Sequence, residues 1–219
     1  MSFQDENEAG ASLTSRIARS LSQRILTGAL APGAAVRQDH VAAEFGASHV
    51  PVREAFRTLE AQGLLVSEPR RGVRVAPLEP GLVLEVTAMR AALEVLALRR
   101  GFPRLAAPDL EEAAAAIAES ETSDAVLVWE AANRRFHHAI TAPCGMQRLL
   151  ATIEDLQRTS ARFLFATWRE LDWQPRSEAE HRQILAELRT GRIEPAAQAL
   201  ETHILEAGKA LATKLLASR

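Results

Sequence analysis

Four of the six histidines lie in the C-terminal part of this chain: His137, His138, His181 and His203. Imidazole is the side chain that most often binds divalent transition metals at neutral pH. His181 and His203 are 22 residues apart, with residue 192 midway between them. Gly191 and Pro195 call for a turn between helices there. Two antiparallel helices folded at that point place the two imidazoles side by side. Asn133 and His137 form a one-turn pair on a third helix. If that helix faces the other two, three nitrogens and an amide oxygen converge. Such a set suits Zn2+, Ni2+ or another divalent first-row ion, with a coordination position left for water or a ligand. His138 points about 100° away from His137 and falls outside the set. A single helical histidine is more often just a hydrogen-bonded polar residue, and the metal reading rests on three spacings agreeing. The same set also fits a metal-dependent hydrolase that activates water. That alternative lacks a His-Glu-x-x-His motif and an obvious general base, so no residue is assigned as catalytic. A metal that only braces a helical bundle is the third reading.

A second constellation is basic. Residues 12–76 carry nine arginines against five acidic residues, a net of +4, while residues 1–11 and the remainder are each net −3. A basic segment on an acidic body suits a polyanion. Within it, His49, Arg53 and Arg57 are four apart and share one helix face, opposite Phe56 and Leu59. An arginine in the major groove grips guanine O6 and N7 with two hydrogen bonds. Ser48, at the start of that helix, and the free N–H groups beside it suit a phosphate. Arg70, Arg71 and Gly72 occupy a turn between two short strands.

The elements that position these residues follow from periodicity and punctuation. Leu13, Ile17, Leu21 and Ile25 recur every four residues after a Ser12 cap, which predicts a helix ending near Gly28. A short helix is expected from Gln38 to Phe45, then a turn at Gly46-Ala47. Ser48 opens a helix that reaches about Gln62, with Pro51 in its first turn. Leu64-Leu65-Val66 and Val73-Arg74-Val75 read as strands around Pro69-Arg70-Arg71-Gly72. The order helix, helix, turn, helix, hairpin is that of a winged helix-turn-helix. Residues 77–81 read as a linker. Helices are then predicted over about 82–100, 108–120, 124–142, 146–171, 177–190 and 195–217. Ser177 to Glu180 has a capping-box pattern, and Pro195 suits a first helical position. The predicted fold is therefore mainly α, a winged helix-turn-helix over 12–76 and an all-helical body over 82–217. Trp129, Trp168, Trp173, Phe163 and Phe165 are expected to pack the bundle or a dimer interface. One cysteine, Cys144, excludes an internal disulfide. No apolar run spans a bilayer and the acidic start has no signal-peptide pattern. A cytoplasmic protein without a membrane partner is the expectation.

Residues 25–75 resemble the GntR family of bacterial transcription regulators. The likeness runs through Ile25 to Gly33, Phe45 to Ser48, Pro51 to Arg57, Gln62 to Leu65 and Arg71 to Val73. It implies DNA contacts from Ser48, Arg53 and Gly72. His49 stands where the family usually has a base-reading Arg. The body resembles the FCD type of effector domain of the FadR subfamily, through Asn133 to His137, Glu180 to Ile184 and Ala199 to Ile204. That likeness implies a metal held by one Asp and three His, with Asn133 standing here in the Asp position. It also implies a small carboxylate effector, for which Arg90 matches a family position that faces the cavity. Arg158 and Arg162 share a face of a later helix, where a surface ion pair is the simpler reading. The resulting expectation is a metabolite-responsive repressor, a homodimer that binds an inverted-repeat operator in double-stranded DNA.

Overall fold

The computed structural model of the protein describes residues 12–69, 71–122, 125–167 and 174–217. The chain divides into two compact units that part between Leu78 and Glu79. In the first, helices α1 (Leu13–Leu26), α2 (Gln38–Phe45) and α3 (His49–Ala61) precede a hairpin of β1 (Leu65–Glu68) and β2 (Gly72–Val75). The Ser12 hydroxyl accepts from the Ser15 N–H and caps α1. Ile17, Leu21 and Ile25, four apart, bury one stripe of α1 against Val52, Ala55, Phe56 and Leu59 of α3. Gly46 adopts φ +58° between α2 and α3, a left-handed turn that glycine enters without a Cβ penalty. Arg24 reaches both carboxylate oxygens of Glu44 at 3.0 Å, tying α1 to α2.

The hairpin pairs Leu65 with Val75 and Glu68 with Gly72 in antiparallel register. Strand β1 begins one residue later than the apolar triplet suggests, with Leu64 buried in the core just before it, and β2 begins one residue earlier, at Gly72. A bridge from Ala35 to Arg74 adds a third short pairing, a contact between distant residues that no local pattern signals. The result is the winged helix-turn-helix that the sequence predicts.

The second unit is all helical: α4 (Pro80–Gly101), α5 (Ala107–Ser120), α6 (Val126–Thr141), α7 (Gln147–Thr167), α8 (Gln174–Arg189) and α9 (Ile193–Ala217). Its main core gathers Val95, Leu98, Phe136, Ile140, Ile184, Leu188, Leu200 and Ile204 from α4, α6, α8 and α9. Where α9 crosses α4, a Cβ on Gly208 would lie 2.3 Å from Thr87 Oγ1, so the close approach of these helices needs glycine at that position.

Three boundaries correct the sequence reading. Pro80 and Gly81, expected in the 77–81 linker, form the first turn of α4 with Pro80 leading it, where a missing N–H costs nothing. Helix α8 begins at Gln174, so Ser177 is a buried residue within the helix and not its cap. Helix α9 begins at Ile193, two residues before Pro195, which therefore sits in its first turn. Among the described residues no helix is long and apolar enough to cross a membrane.

Candidate functional site: a three-histidine cluster beside a polar cavity

The α8–α9 hairpin turns on Gly191 at φ +74°, with the Arg192 N–H reaching back to the Glu187 carbonyl at 2.9 Å. That turn brings His181 and His203 together, with their Nε2 atoms 3.1 Å apart. His137 of α6 joins them, and one nitrogen from each of the three rings lies within 4.8 Å of the others. All three imidazoles are buried. Phe136 stacks on His181 at 4.1 Å between ring centroids and limits its rotation.

Two carboxylates fix the tautomers. His137 Nδ1 lies 2.6 Å from Glu94 Oε2, and His203 Nδ1 lies 2.8 Å from Glu180 Oε2. A carboxylate only accepts, so both Nδ1 atoms carry a proton, and in the neutral ring that tautomer leaves the Nε2 lone pair to a metal. Burial, reinforced by the neighbouring histidines and Arg90, drives the His181 imidazole well below its ordinary range. Burial also lowers His203 against the opposing pull of Glu180. Neutral rings are what a metal requires. Two nitrogens bound to one tetrahedral zinc at about 2.0–2.1 Å lie about 3.3 Å apart, close to the 3.1 Å between His181 and His203 Nε2. The donor set therefore fits a divalent first-row ion. His138 is exposed and lines a separate surface cleft.

Glu94 is 0 % exposed. It accepts from Arg90 Nε at 3.0 Å, Gln157 Nε2 at 3.2 Å and the His137 ring. Burial works to raise its carboxyl, yet Arg90, His137 and Gln157 outweigh that and hold it at about 2. The sequence reading missed Glu94, although an acid inside the apolar run Ala91 to Leu98 was its signal. It also gave Glu180 a capping role and a place in the family likeness, but no bond to His203.

Beside the histidines lies a cavity of about 60 Å3. Arg90, Asn133, His137, Gln157 and His203 form its polar wall, and Leu164, Ala207 and Leu211 are among its apolar lining. Trp129, Glu130, Arg134 and Ser177 complete features that the sequence did not select. Glu130 pairs with Arg134 at 2.8 Å. Burial raises the Glu130 carboxyl, with Arg134 and Arg90 opposing. Asn133 and Arg90 thus share one cavity with two of the three histidines. Arg158 pairs with Glu154 at 2.6 Å on the surface. Arg162 is buried and does not line the cavity. Phe163 is a core residue and Phe165 is half-buried. Arg70, Trp168 and Trp173 lie outside the described residues.

In the first unit, Ser48 stands at the N-cap of α3 without a side-chain cap bond. Ser48, His49, Arg53, Arg57, Arg71 and Gly72 are all exposed. His49 Nε2 lies 3.7 Å from Asp39, Arg57 pairs with Glu54 at 2.7 Å, and Arg71 lies 3.7 Å from Glu68. Arg53 makes no ion pair among the described residues.

Residues 13–75 match the family described as bacterial regulatory proteins, gntR family. Residues 85–206 match the FCD domain. The chain is 33% identical over 187 residues to a probable D-xylose utilization operon transcriptional repressor of Paenarthrobacter nicotinovorans, covering 82% of this chain and 80% of that protein. Among solved structures, a GntR family transcriptional regulator from Pseudomonas syringae pv. tomato is 34% identical with a TM-score of 0.60, covering 94% of this chain and 87% of that one. A putative GntR regulator from Rhodococcus is 26% identical with a TM-score of 0.76, covering 95% and 100%.

Because Glu94 compensates a largely buried Arg90, its removal leaves an uncompensated cation. Glu94→Ala is expected to lower unfolding stability in a denaturant titration by about 3–5 kcal/mol. Glu154→Ala, at the exposed Arg158 pair, is expected to leave it nearly unchanged. Equal effects of the two would contradict the role given to Glu94.

Proposed function

We propose a specific mechanism on the premise that this chain belongs to the GntR family of bacterial transcriptional regulators, carries an FCD domain, and is not an enzyme. It is a repressor that a small carboxylate releases from its operator. The observation that carries this reading is the shared cavity of Arg90, Asn133, His137 and His203, beside a histidine cluster spaced for one metal ion. Asn133, His137, His181 and His203 would hold the ion, which would supply a positive centre for an anion. Asn133 contributes an oxygen without the negative charge of an aspartate, which leaves the ion more attractive to a carboxylate. Arg90 adds a second cation at the same wall, already oriented by Glu94. A guanidinium beside a metal fixes a small acid in one pose.

The DNA-binding half rests on α3. Arg53 and Arg57 read bases, Ser48 and the N–H groups at the start of α3 hold a phosphate, and His49 takes the position beside them. Val50, also exposed, offers methyl groups to a thymine methyl. Arg71 and Gly72 bring the hairpin tip to the backbone or minor groove. The protein acts as a homodimer on an inverted repeat. Leu82, Met89 and Leu96 support this, being exposed apolar residues at seven-residue spacing on α4. Such a stripe is self-complementary about a two-fold axis. Acid binding changes how the dimer spaces its two recognition helices, and a coupling of about 1–3 kcal/mol alters operator affinity roughly 5–150-fold.

Two variants test the two halves. Arg53→Ala is expected to weaken operator binding in fluorescence anisotropy by about 1–3 kcal/mol and to relax base preference; undiminished specific binding contradicts the assignment of α3. The double variant His181→Ala, His203→Ala is expected to retain no zinc by elemental analysis after gel filtration. Stoichiometric zinc in that protein removes the histidine cluster as the metal site.

A further inference from the structure

Ser177 lies near the start of α8, one helical turn before His181. It is 1 % exposed and lines the cavity. Its hydroxyl has no hydrogen-bond partner among the described residues. A buried hydroxyl without a partner destabilises a fold, and alanine would fill nearly the same space without that cost. The group that satisfies Ser177 is therefore either solvent or a ligand that enters the cavity.

The position of Ser177 defines what that group is. Side chains four apart on a helix lie about 5–6 Å from each other, so Ser177 stands about that far from the histidine tier. At the same end, the Trp129 indole of α6 interacts with Glu178, the neighbour of Ser177. Glu130, next to Trp129, also lines the cavity. This end thus offers the Ser177 hydroxyl, which both donates and accepts, and the Glu130 carboxylate, which only accepts and is already paired with Arg134. Leu164, Ala207 and Leu211 provide apolar wall for methylenes. A cavity of about 60 Å3 admits about four to six water-sized groups, the scale of a four-carbon acid.

We propose that Ser177 contacts a hydroxyl of the ligand, and that the cavity takes a short hydroxycarboxylic acid whose hydroxyl is on C3 or C4. A C2 hydroxyl stays within reach of the same metal as the carboxylate and does not extend one helical turn to Ser177. The inference rests on the reading of the cavity as a carboxylate site.

The test is isothermal titration of the zinc-loaded full chain with butyrate, 3-hydroxybutyrate, 4-hydroxybutyrate and succinate, repeated on Ser177→Ala. Wild type is expected to bind at least one of the hydroxy acids about tenfold or more tightly than butyrate, since a site built to bond a hydroxyl rejects the analogue that lacks it. In Ser177→Ala the preference is expected to shrink to within about twofold while butyrate still binds, because only an oxygen is removed. Equal binding of butyrate and both hydroxy acids by wild type overturns the inference and leaves the carboxylate reading intact, with solvent serving Ser177 instead. A preference that persists in Ser177→Ala, or loss of every acid from that variant, also overturns it. Tightest binding by succinate makes the far end an anion site and overturns it too. Failure of all four acids to bind wild type overturns both this inference and the carboxylate reading beneath it.

Discussion

A carboxylate cut off from water has to be compensated by its neighbours, and Glu94 is compensated three times over. Its two oxygens collect Arg90 from its own helix, His137 from α6 and Gln157 from α7. Desolvation alone would neutralise the group, yet the surrounding cation and donors keep it ionised. That single charge sets the His137 tautomer and anchors the Arg90 guanidinium at the cavity wall. Glu180 repeats the device on His203 from the facing hairpin. Two acids on two helices thus orient two of the three imidazoles, each turning an Nε2 inward. A histidine that bonds through Nδ1 to a carboxylate is also a more basic ligand.

The two units carry separate chemistries suited to separate partners. The first exposes its arginines and buries only a small apolar core, so its cations remain available to a polyanion. The second buries charge, and buried charge is worth retaining only where it does something a packed apolar core would not. Arg90, Asn133, His137, Gln157 and His203 among its polar groups line one cavity. A regulator needs this division, because a metabolite and a DNA duplex share almost no recognition chemistry.

Much of this was legible in the sequence. The four-residue spacing of Leu13, Ile17, Leu21 and Ile25 fixed α1, and Gly46 marked the left-handed turn before α3. Gly191, next to the midpoint between His181 and His203, was enough to place two imidazoles side by side. Local signals erred where a cap-like pattern was not a cap: Ser177 satisfies the Ser-x-x-Glu spacing, but its hydroxyl faces a cavity and the helix starts three residues earlier. Glu94 was missed because its partners come from helices distant in sequence, and an i, i+4 pair with Arg90 reads as surface decoration until its burial is known. The Ala35 to Arg74 bridge and the Gly208 to Thr87 approach are tertiary contacts that no window of sequence contains.

The central claim is that three imidazoles take up one divalent ion, two of them through nitrogens that Glu94 and Glu180 have pre-oriented. X-ray absorption at the zinc edge, on the full chain loaded with one equivalent of zinc, tests this most directly. The account predicts three imidazole nitrogens at about 2.0–2.1 Å with oxygen completing the shell. A spectrum showing oxygen ligands with fewer than two imidazoles would contradict it.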